Sequence, residues 1–188
     1  MNRSEQTISK TSIFPRIVLV GFMGAGKTSV AQSLAEQVEG DWVDLDAFIE
    51  AAEHKSVPEI ILSSGEAVFR GLETKYLREA LANRANSVVA LGGGGWTIEE
   101  NRKIIRESGF LSVWLEASFE VCWSRIENAE NARPLAPNKL AAQTLFERRR
   151  DIYAGSDLRI AVQASDPLKT IAARILEQIT TVPKKPAR

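Results

Sequence analysis

The chain has 188 residues, of which 44% are hydrophobic and 26% are charged, a composition typical of one soluble globular domain. Its 24 basic and 24 acidic side chains give no net charge, which excludes a general electrostatic attraction to nucleic acid or to anionic membranes. A single cysteine, Cys122, excludes an internal disulfide framework, and a single histidine, His54, disfavours a Cys/His zinc site.

The two ends of the chain are polar. Residues 1–14 lack the apolar centre of a secretory signal, and we expect them and residues 182–188 to be flexible tails around one domain, 15–181. No apolar run approaches the ~20 residues that are needed to cross a bilayer. We therefore expect a cytoplasmic monomer with no nucleic-acid or membrane partner.

Along the chain, short β-branched runs alternate with amphipathic stretches, the pattern of a parallel α/β sheet with helices on both faces. Five strands are predicted, in RIVLV, DWVDLD, SVVAL, GFLSVWLEA and DLRIAV. The helix after the first strand carries Val30, Leu34 and Val38 at helical spacing, and a last helix is predicted from about Pro167 to Ile179.

Two segments depart from this alternation. The stretch from Ala47 to Asn83 is too long for one crossover helix, which predicts a small helical insertion over about 46–83. The polar stretch ENAENARPLAPNKL has no periodic pattern, and long irregular loops in compact domains are often functional lids. We predict a lid over about 124–139.

The segment GFMGAGKT, Gly21 to Thr28, fills every fixed position of the phosphate-binding pattern G-x-x-x-x-G-K-[ST] between a strand and a helix. Glycines let backbone N–H groups surround a phosphate, and the positive end of the following helix points there. Lys27 supplies a charge to the terminal phosphates and Thr28 a hydroxyl for Mg²⁺. The pattern predicts an ATP or GTP site formed by Gly24, Ala25, Gly26, Lys27, Thr28 and Ser29.

The acceptor side of the site is indicated by two further features. Asp44 and Asp46 end the second strand, where period-two geometry points them the same way, so that one could serve the metal and the other an acceptor hydroxyl. The third strand ends not in an acid but in four glycines, 92–95. Such a run indicates either a ligand lying against bare backbone N–H groups or a tight turn.

Together the segments GFMGAGKT, DLD, GEAVFRGLE, LGGGG, ARPL and RRDIY occur in the order found in one enzyme family. The chain resembles the shikimate kinases from about Arg16 to Leu176. The resemblance implies a three-layer P-loop kinase fold. It also implies transfer of the γ-phosphate of ATP to the 3-hydroxyl of shikimate, with one Mg²⁺, in the pathway to the aromatic amino acids.

The resemblance also implies roles on the nucleotide side of the site. Lys27 would contact the γ-phosphate, Thr28 would bind Mg²⁺ directly and Asp44 through water. Asp46 would hold the shikimate hydroxyls and orient or deprotonate the attacking one. Arg133, in ARPL, would close on ATP as the lid arginine, which makes the implied catalytic set Lys27, Asp46 and Arg133.

For the substrate carboxylate the resemblance implies two arginines and the glycine run. Arg70 would bind the carboxylate, with Glu73 fixing its orientation, and Gly92, Gly93 and Gly94 would line the site. The second arginine falls in RRRDIY, where Tyr153 favours Arg149 over Arg148. Successive helical residues point ~100° apart, so at most one of the three arginines 148–150 faces the substrate.

Other functions remain as alternatives at this point. A gluconate kinase or a nucleoside monophosphate kinase would also use a P-loop, although a nucleotide acceptor would call for several arginines around a second phosphate. A regulatory nucleotide-binding module is disfavoured by the intact catalytic set. A GTPase switch is disfavoured because no acid ends the third strand.

Overall fold

The structure, a computed structural model, describes residues 14–127 and 138–181. Five parallel strands form one sheet in the order β2-β3-β1-β4-β5. The strands are β1 Ile17–Val20, β2 Asp41–Asp44, β3 Asn86–Ala90, β4 Leu111–Ala117 and β5 Leu158–Val162. β1 is fully buried at the centre, as its continuous apolar sequence predicts for a strand covered on both faces. The predicted five-stranded parallel sheet is confirmed.

Eight α-helices and one short 3₁₀ helix, Gly95–Thr97, connect the strands in the described part of the chain. The helices are α1 Lys27–Val38, α2 Leu45–Glu53, α3 Val57–Ser64, α4 Glu66–Ala82, α5 Glu99–Glu107, α6 Phe119–Ile126, α7 Lys139–Tyr153 and α8 Leu168–Thr181. α1 packs on α8, and α4 packs on α5. Because parallel crossovers are right-handed, this strand order places the two pairs on opposite faces, as predicted.

The predicted helical insertion corresponds to α2, α3 and the start of α4. α3 begins at a capping box in which Ser56 and Glu59 satisfy each other's backbone N–H groups, with Pro58 in the first turn. Gly65, at a φ of 89°, turns the chain between α3 and α4. α2 and α3 therefore fold beside α4, the helix that carries Arg70.

The prediction that Asp44 and Asp46 both belong to the second strand is wrong. β2 ends at Asp44, whose side chain accepts a hydrogen bond from the N–H of Ala47 and so starts α2. Asp46 lies in the first turn of that helix. An aspartate that caps a helix satisfies an N–H that a continued strand would leave unpaired, and this local gain ends the strand early.

The structure also shows where three residues outside the motifs lie. Trp96 is buried beneath the glycine run, and its indole N–H donates to the carbonyl of Ile152. Cys122 is fully buried in α6, while His54 is exposed at the end of α2. Among the described residues no helix is long and apolar enough to cross a membrane.

Some predictions fall outside the described residues. They concern most of the lid at 124–139 together with Arg133, the first thirteen residues of the chain and residues 182–188. These stay predictions.

Candidate active site

The phosphate loop connects β1 to α1, and packing fixes its glycines. Gly24 has a φ of 77°, and a Cβ there would lie 2.5 Å from the carbonyl oxygen of Cys122. Gly26 has a φ of 96° and precedes the first residue of α1. Both positions need glycine for its left-handed conformation. The loop therefore curls around the N-terminus of α1, where free N–H groups and the helix dipole favour an anion.

Lys27 and Thr28 are the first two residues of α1. The ammonium of Lys27 donates to the carbonyls of Gly21 and Phe22 at 3.0 Å each. These bonds hold the lysine side chain against the start of the phosphate loop. The hydroxyl of Thr28 donates to Oδ2 of Asp44 at 2.5 Å. Oxygen ligands of this kind suit Mg²⁺, which usually takes one or two protein ligands beside phosphates and water.

Asp46 faces the glycine run from the other side of the pocket. A Cβ at Gly92 would lie 2.5 Å from Oδ1 of Asp46, and this buried oxygen has no hydrogen-bond partner among the described residues. Burial and, after it, the negative charges of Asp44 and Glu73 raise the pKa of Asp46 to about 7, although the positive charge of Lys27 opposes them. The side chain can thus accept a proton near neutral pH.

The glycine run is a tight turn and is also closely approached by other groups. The N–H of Gly95 donates to the carbonyl of Gly92 at 3.1 Å, which closes the turn. A Cβ at Gly93 would lie 3.1 Å from the backbone nitrogen of Met23, and one at Gly94 would lie 2.5 to 2.7 Å from the guanidinium of Arg70. Side chains at these positions would therefore displace the phosphate loop or Arg70.

Two acids hold Arg70 in α4. Its guanidinium donates to Glu66 at 2.9 Å and to Glu73, which is 1% exposed. Burial opposes the charge of Arg70, but Glu73 and Glu66 outweigh it and raise the pKa of Arg70. The sequence prediction that Glu73 would contact Arg70 three residues away agrees with this geometry. Arg70 is thereby a fixed cation beside Gly94.

Of the three adjacent arginines in α7, only Arg149 faces the turn. It is 7% exposed and donates to the carbonyl of Gly93 at 3.1 Å, whereas Arg148 and Arg150 are exposed. Burial lowers the pKa of Arg149, and the positive charge of Arg70 lowers it as well. Arg149 has no carboxylate partner among the described residues and shares this end of the site with Arg70, a pair of cations that favours an anionic ligand.

The phosphate loop, both aspartates and Gly93 enclose a pocket of about 230 Å³ at the carboxyl ends of β1, β2 and β3. Ligands bind at this edge in open α/β sheets, where the strand order changes direction. The predicted site residues that the structure describes line this pocket or form the loop and the turn around it. The exceptions are Arg70 and Arg149, which flank the turn.

A family profile described as Shikimate kinase matches residues 23–180. The chain belongs to the shikimate kinase family. A shikimate kinase from Synechococcus elongatus is 41% identical over 174 residues, which cover 91% of this chain and 90% of that protein. One from Lactococcus lactis subsp. lactis is 43% identical over 157 residues, covering 80% and 90%. The structure of shikimate kinase from Acinetobacter baumannii in complex with shikimate has a TM-score of 0.84 at 31% identity, covering 90% and 95%.

Membership of the shikimate kinase family makes the chain an ATP-dependent kinase. The predicted family and fold are confirmed. Most of the described residues that line the pocket belong to the quoted sequence motifs, but a few residues of the site carry no motif.

One of these residues, Arg125, was missed by sequence reasoning. It lies in the last turn of α6, lines the pocket and donates to the carbonyl of Gly24 at 3.0 Å. A lone basic residue in the last turn of a helix more often complements the helix dipole, so the sequence offered no distinguishing signal.

Asn101 was missed as well. It is fully buried and joins the glycine run to α4 by donating to Gly95 and accepting from Thr74.

Proposed function

We propose that the chain transfers the γ-phosphoryl group of ATP to the 3-hydroxyl of shikimate, giving shikimate 3-phosphate and ADP. One observation carries this proposal. A phosphate loop, a carboxylate with an unpartnered buried oxygen, the partly buried guanidinium of Arg70 and the buried guanidinium of Arg149 converge on one glycine turn. Shikimate needs these groups, because it has a carboxylate at one end and hydroxyls at the other.

The nucleotide half of the site is the loop from Gly24 to Ser29. Its N–H groups and the N-terminus of α1 would hold the phosphates, and Lys27 would turn from the loop carbonyls to the γ-phosphate. Arg125 adds a positive charge at the pocket edge. Arg133, in the predicted lid, would close over ATP and keep water away from the phosphoryl group.

Thr28 and Asp44 would hold Mg²⁺, Thr28 directly and Asp44 through water. The contact between their side-chain oxygens brings the two ligands to one place at the pocket edge. When bound, the ion would neutralise charge on the phosphates as the transferring group develops its own. Asp44 also caps α2, so its position is fixed by the fold before any metal binds.

The acceptor half would bind shikimate by both of its ends. Arg70 and Arg149 would take the carboxylate, with N–H groups of Gly92 to Gly94 alongside. Asp46 would hold the hydroxyls, because its Oδ1 lacks a partner among the described residues and lies against the turn. Binding shikimate by both ends would hold one of its hydroxyls towards the nucleotide.

The transfer step would then need few groups. The hydroxyl oxygen forms a bond to the γ-phosphorus while the bond from that phosphorus to the bridging oxygen of ADP breaks. The hydroxyl proton passes to Asp46, whose pKa of about 7 suits a proton acceptor at neutral pH. Lys27 stabilises the charge on the transferring group.

A coupled ADP-release assay that compares shikimate, gluconate, CMP and AMP as acceptors tests the proposal. Of the four acceptors, we expect only shikimate to give rapid turnover. The rate of ADP release without any acceptor measures background hydrolysis of ATP. Turnover with gluconate or with a nucleotide, in the absence of turnover with shikimate, would overturn the assignment.

A further inference from the structure

The carbonyl of Gly93 is held by two side chains from α7. The hydroxyl of Tyr153 donates to it at 2.5 Å, and Arg149 donates to it at 3.1 Å. Tyr153 is 2% exposed, and its ring packs against Trp114 with the ring centroids 6.1 Å apart. A buried phenol with its only described acceptor in the glycine run is a fixed donor at that point.

The other carbonyls of the run are held locally. Gly95 donates to Gly92, the backbone N–H and the hydroxyl of Thr97 both donate to Gly94, and Asn101 donates to Gly95. Gly93 differs, because both of its donors lie more than fifty residues away in the sequence. Its orientation therefore depends on α7.

The orientation of this carbonyl also sets that of an N–H. The peptide group is planar and trans, so the N–H of Gly94 points opposite to the carbonyl of Gly93 and away from Tyr153. None of the described residues accepts a hydrogen bond from this N–H. Gly94 lies directly against the guanidinium of Arg70. A carboxylate at Arg70 could therefore also accept from the N–H of Gly94.

We propose that Tyr153 is a positioning residue for the substrate carboxylate. Tyr153 holds the peptide group between Gly93 and Gly94 in the orientation that receives the carboxylate. It also holds the neighbouring side chain of Arg149 in place. This role rests on the proposed function, since it presupposes that Arg70 and Arg149 bind that carboxylate. Burial raises the pKa of Tyr153 to about 12, so its hydroxyl stays a donor throughout the usual assay range.

The test is Tyr153→Phe, which removes one oxygen and keeps the ring. The matched control is Tyr76→Phe, because Tyr76 is also buried and donates to Glu53 at 2.7 Å, with no bond to the glycine run. We expect Tyr153→Phe to raise the KM for shikimate about three- to tenfold, as for one lost hydrogen bond. The KM for ATP should stay within twofold, and Tyr76→Phe should leave both KM values within twofold.

The methyl ester of shikimate distinguishes a specific effect on carboxylate binding from a general disturbance of the site. The ester lacks the carboxylate charge, so the parent protein and Tyr153→Phe should use it with equal kcat/KM. Calorimetric titration with shikimate in the absence of nucleotide gives the dissociation constant of each variant for the same comparison. Thermal melting verifies that each variant is folded.

Three outcomes would overturn the role of Tyr153: an unchanged KM for shikimate, equal rises in the KM for shikimate and ATP, or an equal effect of Tyr76→Phe. Absence of shikimate turnover by the parent protein would instead overturn the proposed function itself.

Discussion

Asp46 is a carboxylate in an electrostatically unfavourable position. Its Oδ1 is buried without a partner, and Asp44 and Glu73 add negative charge nearby. A carboxylate in such surroundings destabilises the folded chain when it is ionised, yet the ionised form is the one that can accept a hydroxyl proton. The same residue should therefore lower stability and support turnover, and substitution can separate the two effects.

Asp46→Asn should lower kcat for shikimate by at least about 100-fold, because an amide cannot accept the hydroxyl proton. Binding of a non-hydrolysable ATP analogue should be unchanged, since the phosphate loop stays intact. The coupled assay and calorimetric titration measure the two quantities. Equal turnover by the parent protein and the variant would remove Asp46 from the reaction.

The rate should also depend on pH through Asp46. Because its pKa is raised to about 7, a growing fraction of the carboxyl is protonated below that pH. We expect kcat/KM for shikimate to fall about tenfold per pH unit below about 7 and to level off above it. A profile that stays flat from pH 5.5 to 8 would contradict a proton-accepting role for Asp46.

The stability of the folded chain should depend on pH in the opposite direction to the rate and fall as the pH rises. The folded pKa of Asp46 lies above its unfolded value of 3.8, so stability present at low pH is lost as the pH rises towards 7. Asp46→Asn removes this loss. The variant should melt at a higher temperature than the parent protein at pH 8 and with a smaller difference at pH 5. A larger difference at pH 5 than at pH 8 would show that the sign is wrong.

At the scale of elements, the glycine run after β3 is shaped by what packs on it. Gly94 has φ −100° and ψ −17°, which any residue can adopt, so only the contact with Arg70 requires glycine there. Gly71, the residue after Arg70 in α4, has open space around its Cβ position. A methyl group would therefore meet the Arg70 guanidinium at position 94 and open space at position 71.

Gly94→Ala should raise the KM for shikimate at least about tenfold, because its methyl group would push the Arg70 guanidinium aside. The melting temperature should also fall, because moving the guanidinium weakens its ion pair with the buried Glu73. Gly71→Ala is the control. It should leave the KM unchanged and stabilise the fold by about 0.5–1 kcal/mol. Equal KM values for the two variants would contradict the role of the Gly94 contact.

Elements with strong periodicity were predictable, and the boundary at Asp44 was not. The five strands lie in the predicted segments, and the central strand β1 is the continuous apolar run that a strand covered on both faces requires. In DLD, alternation also fitted a longer strand, but the cap on Ala47 ended β2 two residues early. Helical phase predicted that at most one of the three adjacent arginines faces the site, and the match of Tyr153 to the family pattern selected Arg149.

At the scale of the whole molecule, the site is assembled from segments that are distant in the chain. The phosphate loop, α2, α4, the glycine run and α7 meet at one edge of the sheet. Motifs predicted most of the residues that line the pocket at this edge. Arg125, Asn101 and Tyr153 act through contacts with the backbone or side chains of distant segments, and a single sequence contains no signal for such pairings.

Because ligands bind only the folded arrangement, each substrate should stabilise the whole chain. At 100 times its Kd a ligand adds about 2.7 kcal/mol, which corresponds to roughly 5–10 °C in Tm for a domain of this size. We expect shikimate and an ATP analogue each to produce such a shift. In Arg70→Ala the shikimate shift should be lost and the nucleotide shift kept, because Arg70 lies beside the glycine turn and not in the phosphate loop.

The comparison uses ligand-induced shifts, because Arg70→Ala also leaves the buried Glu73 without its partner and lowers the baseline Tm. Arg150→Ala is the matched control, since Arg150 is exposed next to Arg149 and should keep both shifts. A full shikimate shift in Arg70→Ala would place the carboxylate elsewhere. Loss of both shifts would mean that the two halves of the pocket fold as one unit, so that their roles could not be separated by residue.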